Sequence, residues 1–203
     1  LTPVNDAPET ADTALAFPVA LTNTGVVPVG LMGELVSTLV GGIRDADAAP
    51  FKGIAITGVN AAHGTLYFSV DAGVNWTEVD NVSDAKALLL TSDANHRLYF
   101  KHDLDFIGTT SDLITLRAWD GSSGSDGSYV NAVTNGGVSA FSGGTDTVSQ
   151  RVMGIIIDSV STDDRVAHHE AVVLTGKSVP GAALSVQING RAQAVTADAD
   201  GFW

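Results

Sequence analysis

The hydrophobic pattern along the chain predicts short β-strands separated by turns. Runs rich in Ile, Val, Leu and aromatic residues recur through the first three quarters of the sequence, several of them with apolar and polar residues in alternation. They are Phe51–Val59, Thr65–Val70, Trp76–Val79, Arg97–Lys101, Leu113–Trp119 and Thr145–Met153. Residues 1–10 contain two prolines and an Asn-Asp pair, which predicts an extended connector leading into a first strand.

Two segments have features typical of short helices. Leucines recur every four residues from position 31 to position 39 and two glycines follow, which predicts a helix over about 31–40. Ser83 is a suitable N-cap for a second helix that reaches Leu90. By contrast, Gly121–Gly144 is rich in glycine and serine, and it predicts a long loop or β-arm.

A second unit is predicted from Gly154 onward. Its strands are Ile155–Val160, Ala171–Thr175, Ala183–Ile188 and Ala192–Thr196. Asn189-Gly190 is a strong signal for a two-residue hairpin turn. An immunoglobulin-like sandwich takes about 100 residues, so we expect this unit to be cut off before its last strands. The sequence therefore predicts an all-β protein: a Greek-key β-sandwich with one or two short helices over 1–153, and an incomplete second sandwich over 154–203.

The charge balance narrows the range of partners. The 203 residues include 23 acidic and 10 basic side chains, for a net charge of −13. Nucleic acid and anionic membranes both need a basic face, so we expect neither as a partner. No apolar run approaches the ~18 residues of a membrane span, and we expect no membrane insertion. Because the sequence has no initiator Met or signal peptide, we expect it to be a piece of a longer protein.

The choice of acidic residue adds a chemical hint. Nineteen of the 23 acids are Asp and four are Glu. Aspartate favours turns, caps and calcium sites, whereas surface helices favour glutamate. Cysteine is absent, which removes disulfides, thiol catalysis and thiolate zinc sites together. An extracellular domain without disulfides needs another clamp, and we expect calcium bound by carboxylates to supply it.

Three acidic spots far apart in sequence form a candidate calcium site. Asn5-Asp6 lies in the connector, Asp45-Ala46-Asp47 follows the first predicted helix, and Asp120 ends a strand. In a sandwich, these three places can lie at the same pole. Calcium takes six to eight oxygens, which converging carboxylates and carbonyls supply. Solvated turn aspartates are the alternative explanation, and the residues alone leave both open.

The order of these motifs resembles a known family. Asn5-Asp6-Ala7-Pro8-Glu9 is similar to the linker of cadherin repeats and of the cadherin-like repeats in large bacterial surface adhesins of the RTX type. In that pattern an Asp-Ala-Asp follows some forty residues later, where this chain has Asp45–Asp47, and an Ala-x-Asp-x-Gly closes a late strand. Ala118–Ser122 is one residue short of this last element. The resemblance covers about 1–153.

This resemblance implies two calcium sites. The upper site would be built from Asn5, Asp6, Asp45, Asp47 and Asp120. A lower site near the next domain would use Glu9 with Asp103 or Asp105, where the family has an Asp-Arg-Glu-like motif from which this chain departs.

Residues 155–203 resemble the start of a bacterial immunoglobulin-like repeat. The similar stretches are Ile157–Asp164, Asn189-Gly190 and Ala197–Trp203. In the family sense Asp163 and Asp164 are possible calcium ligands, and a solvated turn is the alternative.

The function implied is structural. The resemblance implies a calcium-rigidified extender repeat of a secreted bacterial adhesin, at the cell surface, that supports cell adhesion or biofilm formation. Its partners would be neighbouring repeats of the same chain, with host or surface glycans and proteins bound through other domains. The alternatives are a carbohydrate- or peptide-binding module that grips its ligand with the Gly121–Gly144 segment, and an accessory domain of an extracellular hydrolase. The sequence lacks nucleophile-elbow, phosphate-loop and His-Glu-x-x-His motifs, so we expect no enzyme.

Two further motifs favour structural explanations. Ser69–Trp76 resembles an Asp-box, in which Asp71 would bond turn amides and Gly73 would supply a positive φ. His168-His169-Glu170 suggests a metal, but adjacent residues of a strand point to opposite faces, so surface histidines are the better interpretation.

Overall fold

The computed structural model describes residues 4–11, 13–22, 24–47, 53–160, 174–188 and 191–203, and within them the protein is almost entirely β-structure. The strands are β1 Leu15–Ala16, β2 Ala20–Leu21, β3 Glu34–Leu35, β4 Gly53–Val59, β5 Gly64–Ser69, β6 Thr77–Glu78, β7 Ala87–Thr91, β8 Arg97–His102, β9 Gly108–Trp119, β10 Tyr129–Val130, β11 Asp146–Met153, β12 Ile155–Val160, β13 Leu174–Ser178, β14 Ala183–Ile188 and β15 Arg191–Thr196. One 3₁₀ helix, Val36–Leu39, is the helical element of the described residues. The all-β prediction is confirmed.

The chain forms two compact units. The first comprises 1–18, 25–103 and 110–150, and it contains two sheets. One sheet has the order β1-β11-β9-β4-β7-β10, and the other has the order β3-β8-β5-β6. Because β4 and β5 lie in different sheets, as do β7 and β8, the chain crosses between the layers repeatedly. This arrangement confirms the predicted sandwich.

The main core of the first unit lies between its two sheets. The larger sheet contributes Ile54 and Ile56 from β4, and Leu88 and Leu90 from β7, all fully buried. The smaller sheet contributes alternate residues of β5 and β8, as the period of two along a strand requires. Burial of aliphatic and aromatic side chains between the layers is the main stabilising term, at about 25 cal/mol per Å² of apolar surface.

The outer face of the larger sheet is buried as well. Ala55, Ala87, Leu89 and Trp119 form a second cluster with side chains of the arm, the name used here for residues 121–144. The arm contains only the short strand β10, which pairs with β7, so the prediction of a long loop or β-arm is confirmed. Strands β4 and β7 are therefore enclosed on both faces.

Both helix predictions need correction. The segment predicted to run from Ser83 to Leu90 turns at 83–86 and then forms the strand β7, because its continuous apolar run is buried on both faces of a sheet. The segment predicted over 31–40 contains the strand β3 and a single 3₁₀ turn. Leu31 is 72% exposed, so the leucine spacing there does not mark one buried helical face.

The second unit comprises 19–24, 104–109 and 151–203. In its described part, β12 pairs with β13 and β14 pairs with β15, both antiparallel. The pairing of Ile188 with Arg191 confirms the predicted hairpin, although Asn189-Gly190 themselves lie outside the described residues. Asp163, Asp164 and His168-His169-Glu170 also lie outside them. Within the described ranges, no helix has the length and apolar character needed to cross a membrane.

Candidate calcium site

The entrance segment, residues 4–10, is fastened to two other parts of the first unit. The backbone of Glu9 exchanges hydrogen bonds with that of Arg44, at N–O distances of 2.7 and 3.0 Å. The amide of Ala7 donates to the carbonyl of Gly137 in the arm, at 2.9 Å. Pro8 is buried, which fixes the segment further. The entrance segment is thereby placed between the 43–47 loop and the arm.

Asn5 joins the entrance segment to the end of β9. Its side-chain amide donates to Asp120 Oδ2 at 2.9 Å and to the carbonyl of Ser139 at 3.3 Å. The other carboxylate oxygen of Asp120 accepts the amide of Ser122 at 2.7 Å. Asp120 is 9% exposed, so its end of this contact is largely shielded from solvent.

The remaining three predicted residues lie beside one another. The amide of Asp47 donates to Asp45 Oδ1 at 2.9 Å, which forms a tight turn in the 43–47 loop. The amide of Asp6 donates to Asp47 Oδ2 at 3.4 Å. The structure therefore brings three separate segments together at one pole of the sandwich, which we call the acidic pole: Asn5, Asp6, Asp45, Asp47 and Asp120.

A cavity of about 750 Å³ opens at the acidic pole. Its lining includes Asp6, Glu9 and Asp45, the basic side chain of Arg44, and glycines of the arm. Short side chains and exposed backbone leave room there for water or an ion. The oxygen donors available are carboxylates, one amide and backbone carbonyls, which is the chemistry that a hard cation prefers.

The same pole can be tested for fit to calcium. Across the described residues, no group of three or more His, Cys, Asp or Glu side chains lies close enough to hold a metal ion by itself. The acidic pole consists instead of an Asn5–Asp120 pair and a neighbouring Asp6–Asp45–Asp47 set. Calcium accepts amide and carbonyl oxygens together with carboxylates, so these donor atoms are of the types that calcium binds.

Asp103 lies at the opposite pole. Gly53, the first residue of β4, pairs with Trp119. Val59, the last residue of β4, is followed by a turn that contains His63. The carbonyl of His63 accepts the amide of Asp103 at 2.9 Å. Because Asp120 follows Trp119 directly, β4 separates Asp103 from Asp120 by roughly 20 Å at about 3.3 Å per residue.

The structure does not bring Glu9 to Asp103, as the lower site would require. Glu9 lies at the acidic pole, where its backbone pairs with Arg44 and the residue forms part of the cavity lining. Asp105 lies between β8 and β9 with a φ of 62° and an exposed side chain. Glu9 is thus placed with the upper group of residues, because its antiparallel pairing with Arg44 holds this part of the entrance segment beside the Asp45 turn.

Sequence reasoning did not assign a role to Arg117. Its guanidinium donates to Asp84 Oδ1 at 2.8 Å and to the carbonyls of Ser142 and Gly143, at 3.1 and 2.9 Å. Arg117 is 9% exposed and sits in an otherwise apolar part of β9. A single arginine within such a strand is the signal that could have identified it, because a buried guanidinium must find several acceptors. It positions the 142–144 backbone beside the cavity.

The turn at Ser69–Trp76 has the predicted construction. Asp71 Oδ1 accepts the amide of Asn75 at 2.8 Å and the hydroxyl of Ser69 at 2.8 Å. Gly73 has a φ of 85°. Trp76 donates through its indole nitrogen to the carbonyl of Gly30 at 3.2 Å. These contacts hold the turn and leave Asp71 no role at the acidic pole.

The fold and the acidic pole define an all-β sandwich protein with a cluster of oxygen donors at one end. No protein-family model, no curated protein and no solved structure matches the chain.

Proposed function

We propose that the chain is a calcium-rigidified structural repeat of a secreted bacterial surface adhesin, and that it acts without enzymatic chemistry. One observation carries the proposal: the entrance segment meets the Asp45 loop and the end of β9 at a single acidic pole. The donor set there, with Asn5 and four aspartates from three segments, suits calcium. The resemblance of these motifs to cadherin-like adhesin repeats supports the same function.

The physical consequence of calcium at this pole would be stiffness. Asp6, Asp45 and Asp47 repel one another when no cation is present, and their mutual repulsion loosens the entrance segment. An ion held by Asn5 and these aspartates would tie the entrance segment to the body of the sandwich. In an array of such repeats, this would fix the direction from which the preceding repeat approaches, and the array would project a distant binding domain. Partners of this kind are neighbouring repeats of the same chain.

The described lining of the cavity gives a sugar- or peptide-binding module no specific support. It consists of acidic, small and glycine residues with one arginine. A carbohydrate groove is typically built around aromatic side chains that stack on the sugar. The accessory-domain alternative likewise has no supporting contact in the described residues, so the structural repeat is the function that we propose.

The test is the thermal unfolding of the chain in excess calcium and in a chelator. Binding to the native state alone stabilises it by RT ln(1 + [L]/Kd), or about 2.7 kcal/mol at a hundredfold excess over Kd. We expect calcium to raise the Tm of the wild type, and Asp45→Asn and Asp120→Asn to lose most of that increase. Asp112→Asn removes the same charge from an exposed position on β9 and is the matched control.

Three results would contradict the proposal. They are the absence of a calcium-dependent shift, an equal shift in Asp45→Asn, and an equal shift with magnesium at the same concentration. Magnesium requires nearly ideal octahedral geometry at shorter distances and keeps its water, so a loose pole of carboxylates and carbonyls should prefer calcium.

A further inference from the structure

His96 is a buried side chain held between two carboxylates. It is 3% exposed and lies at the end of the turn between β7 and β8. Its Nδ1 is 2.6 Å from Asp93 Oδ1, and its Nε2 is 2.6 Å from Asp126 Oδ2. Asp93 belongs to the same turn, whereas Asp126 belongs to the arm. Thus the imidazole connects the β7–β8 turn to a segment thirty residues away in sequence.

The hydrogen-bond count at His96 requires an additional proton. An ionised carboxylate can only accept a hydrogen bond, and a neutral imidazole carries one N–H. Two contacts of 2.6 Å to carboxylate oxygens therefore need both ring nitrogens protonated. Thr91 Oγ1 lies 2.9 Å from Nδ1 and could donate to it, but a bare Nδ1 would still face Asp93 Oδ1 lone pair to lone pair.

The charged side chains around His96 lie on three segments of the chain. Partial burial opposes ionisation of Asp93, but hydrogen bonds from His96 and from the amide of Asn95 hold the pKa of Asp93 below its ordinary value. The Ser69–Trp76 turn, which contains the acidic Asp71, donates from the amide of Ala72 to the carbonyl of Asn95. The neighbouring Arg97 directs its guanidinium away, to the carbonyls of residues 32 and 33.

Asp126 is also the point at which the arm is fastened to β7. Its Oδ1 accepts the amide of Thr91 at 2.9 Å. Next to it, Gly127 donates to the carbonyl of Leu89 at 2.8 Å, and Leu89 donates to the carbonyl of Ser128 at 3.0 Å. The exposed carboxylate of Asp126 thus anchors the first part of the arm, which passes over the outer cluster that contains Leu89 and Trp119.

We propose that His96 is a proton-dependent clamp that fastens the first part of the arm to β7. With both ring nitrogens protonated, the imidazolium binds Asp93 and Asp126 together. When the pH rises and one proton is lost, one N–H···O contact becomes a repulsion between lone pairs. Asp126 is then released, and the arm opens over Leu89 and β7. Histidine is the side chain suited to this role, because its charge changes between about pH 5 and 8. The clamp does not depend on the calcium site.

The test measures backbone amide exchange by NMR at pH 5.5 and pH 8.5, corrected for the intrinsic exchange rates. In the wild type, we expect protection of the amides of Thr91 and Gly127 to fall by tenfold or more at the higher pH. Amides in the middle of β9, away from the arm, should keep their protection. The ring nitrogens of His96 should show the pattern of an imidazolium at pH 5.5.

Asp126→Asn is the decisive variant. Its amide oxygen still accepts the Thr91 amide, and its NH₂ group can donate to an unprotonated Nε2. Neutral His96 is then fully satisfied, so the protection of Thr91 and Gly127 should become independent of pH. Asp112→Asn removes one charge from an exposed position outside the clamp and should behave as the wild type does.

Three outcomes would contradict the proposed clamp. Equal wild-type protection of Thr91 and Gly127 at both pH values would do so. A neutral ring at pH 5.5, with one nitrogen unprotonated, would also do so. An unchanged pH response in Asp126→Asn would show that the pH dependence arises elsewhere. Calcium binding measured on the same samples reports separately on the acidic pole, so failure of one proposal does not imply failure of the other.

Discussion

Asp71 of the Ser69–Trp76 turn and the aspartates of the acidic pole use the same side chain in different ways. In the turn, Asp71 accepts three hydrogen bonds: one oxygen accepts Ser69 and the amide of Asn75, and the other accepts the Asn75 side chain at 2.6 Å. At the acidic pole, Asp45 and Asp47 each receive one backbone donor from the described residues. The three local donors at Asp71 hold a turn, whereas Asp45 and Asp47 keep more acceptor capacity that could serve a cation.

This difference separates two kinds of acidic motif that look alike in a sequence. Hydrogen bonds from the amide and side chain of Asn75 hold the pKa of Asp71 below its ordinary value, so this charge stabilises the fold by itself. The charges at the acidic pole lie together, and under the proposed function they would stabilise it only with a cation bound. In the absence of calcium, neutralising Asp71 should therefore lower the free energy of unfolding. Neutralising an aspartate of the acidic pole should leave it unchanged or raise it.

The largest expected effect comes from Gly73→Ala in the turn. Gly73 has a φ of 85°, and a Cβ there would lie 1.9 Å from the carbonyl oxygen of Gly30, which is part of the backbone and cannot swing away. We expect a loss of about 3 kcal/mol in the free energy of unfolding, from left-handed strain and from separation of the two segments. Denaturant unfolding measures this loss.

Gly137→Ala provides the matched control for backbone strain. Gly137 has a φ of 64°, but an added Cβ meets nothing within 4 Å, so this variant should lose only about 1 kcal/mol. Equal losses in both variants would mean that the close approach of the turn to Gly30 contributes nothing.

Most of the fold could be predicted from the sequence, and the failures have a physical reason. Strands with one buried face, such as β8, alternate apolar and polar residues and are readily recognised. Strand β7 reads Ala-Leu-Leu-Leu, because the sandwich core covers one face and the arm covers the other. Such a run has no period of two, and without knowledge of the arm it cannot be distinguished from part of a helix.

The acidic pole was predicted better than the contacts that hold it. The spacing of Asn5, Asp45 and Asp120 suggested one pole, and their placement agrees with it. The roles of Arg117 and His96 could not be predicted, because each depends on which distant segment folds over it. Asp84 and Asp126 are 33 and 30 residues away from these two side chains, and no local pattern records such pairings.

The ionisation of Asp71 should make a smaller contribution to stability than Gly73 does, and this contribution should depend on pH. An aspartate in an unfolded chain has a pKa of about 3.9, and that of Asp71 in the folded protein lies below its ordinary value. A depressed folded pKa gives stability that is complete above the unfolded value and is lost as the pH falls through the folded one. The Tm difference between the wild type and Asp71→Asn should therefore be constant from pH 7 to about 5, and should shrink below about 4. A difference that persists unchanged at the lowest pH would assign the effect of the variant to geometry and not to charge.

The smallest expected effect is the most direct test of the comparison. In chelator and at low ionic strength, Asp45→Asn keeps the acceptor for the Asp47 amide and removes one of the repelling charges. It should leave the free energy of unfolding unchanged or raise it by a few tenths of a kcal/mol, whereas Asp71→Asn should lower it. Salt at about 1 M shortens the Debye length to about 3 Å, so any gain in Asp45→Asn should disappear there. If Asp45→Asn is destabilising in chelator, the acidic pole is a set of turn aspartates like Asp71, and the distinction between the two regions fails.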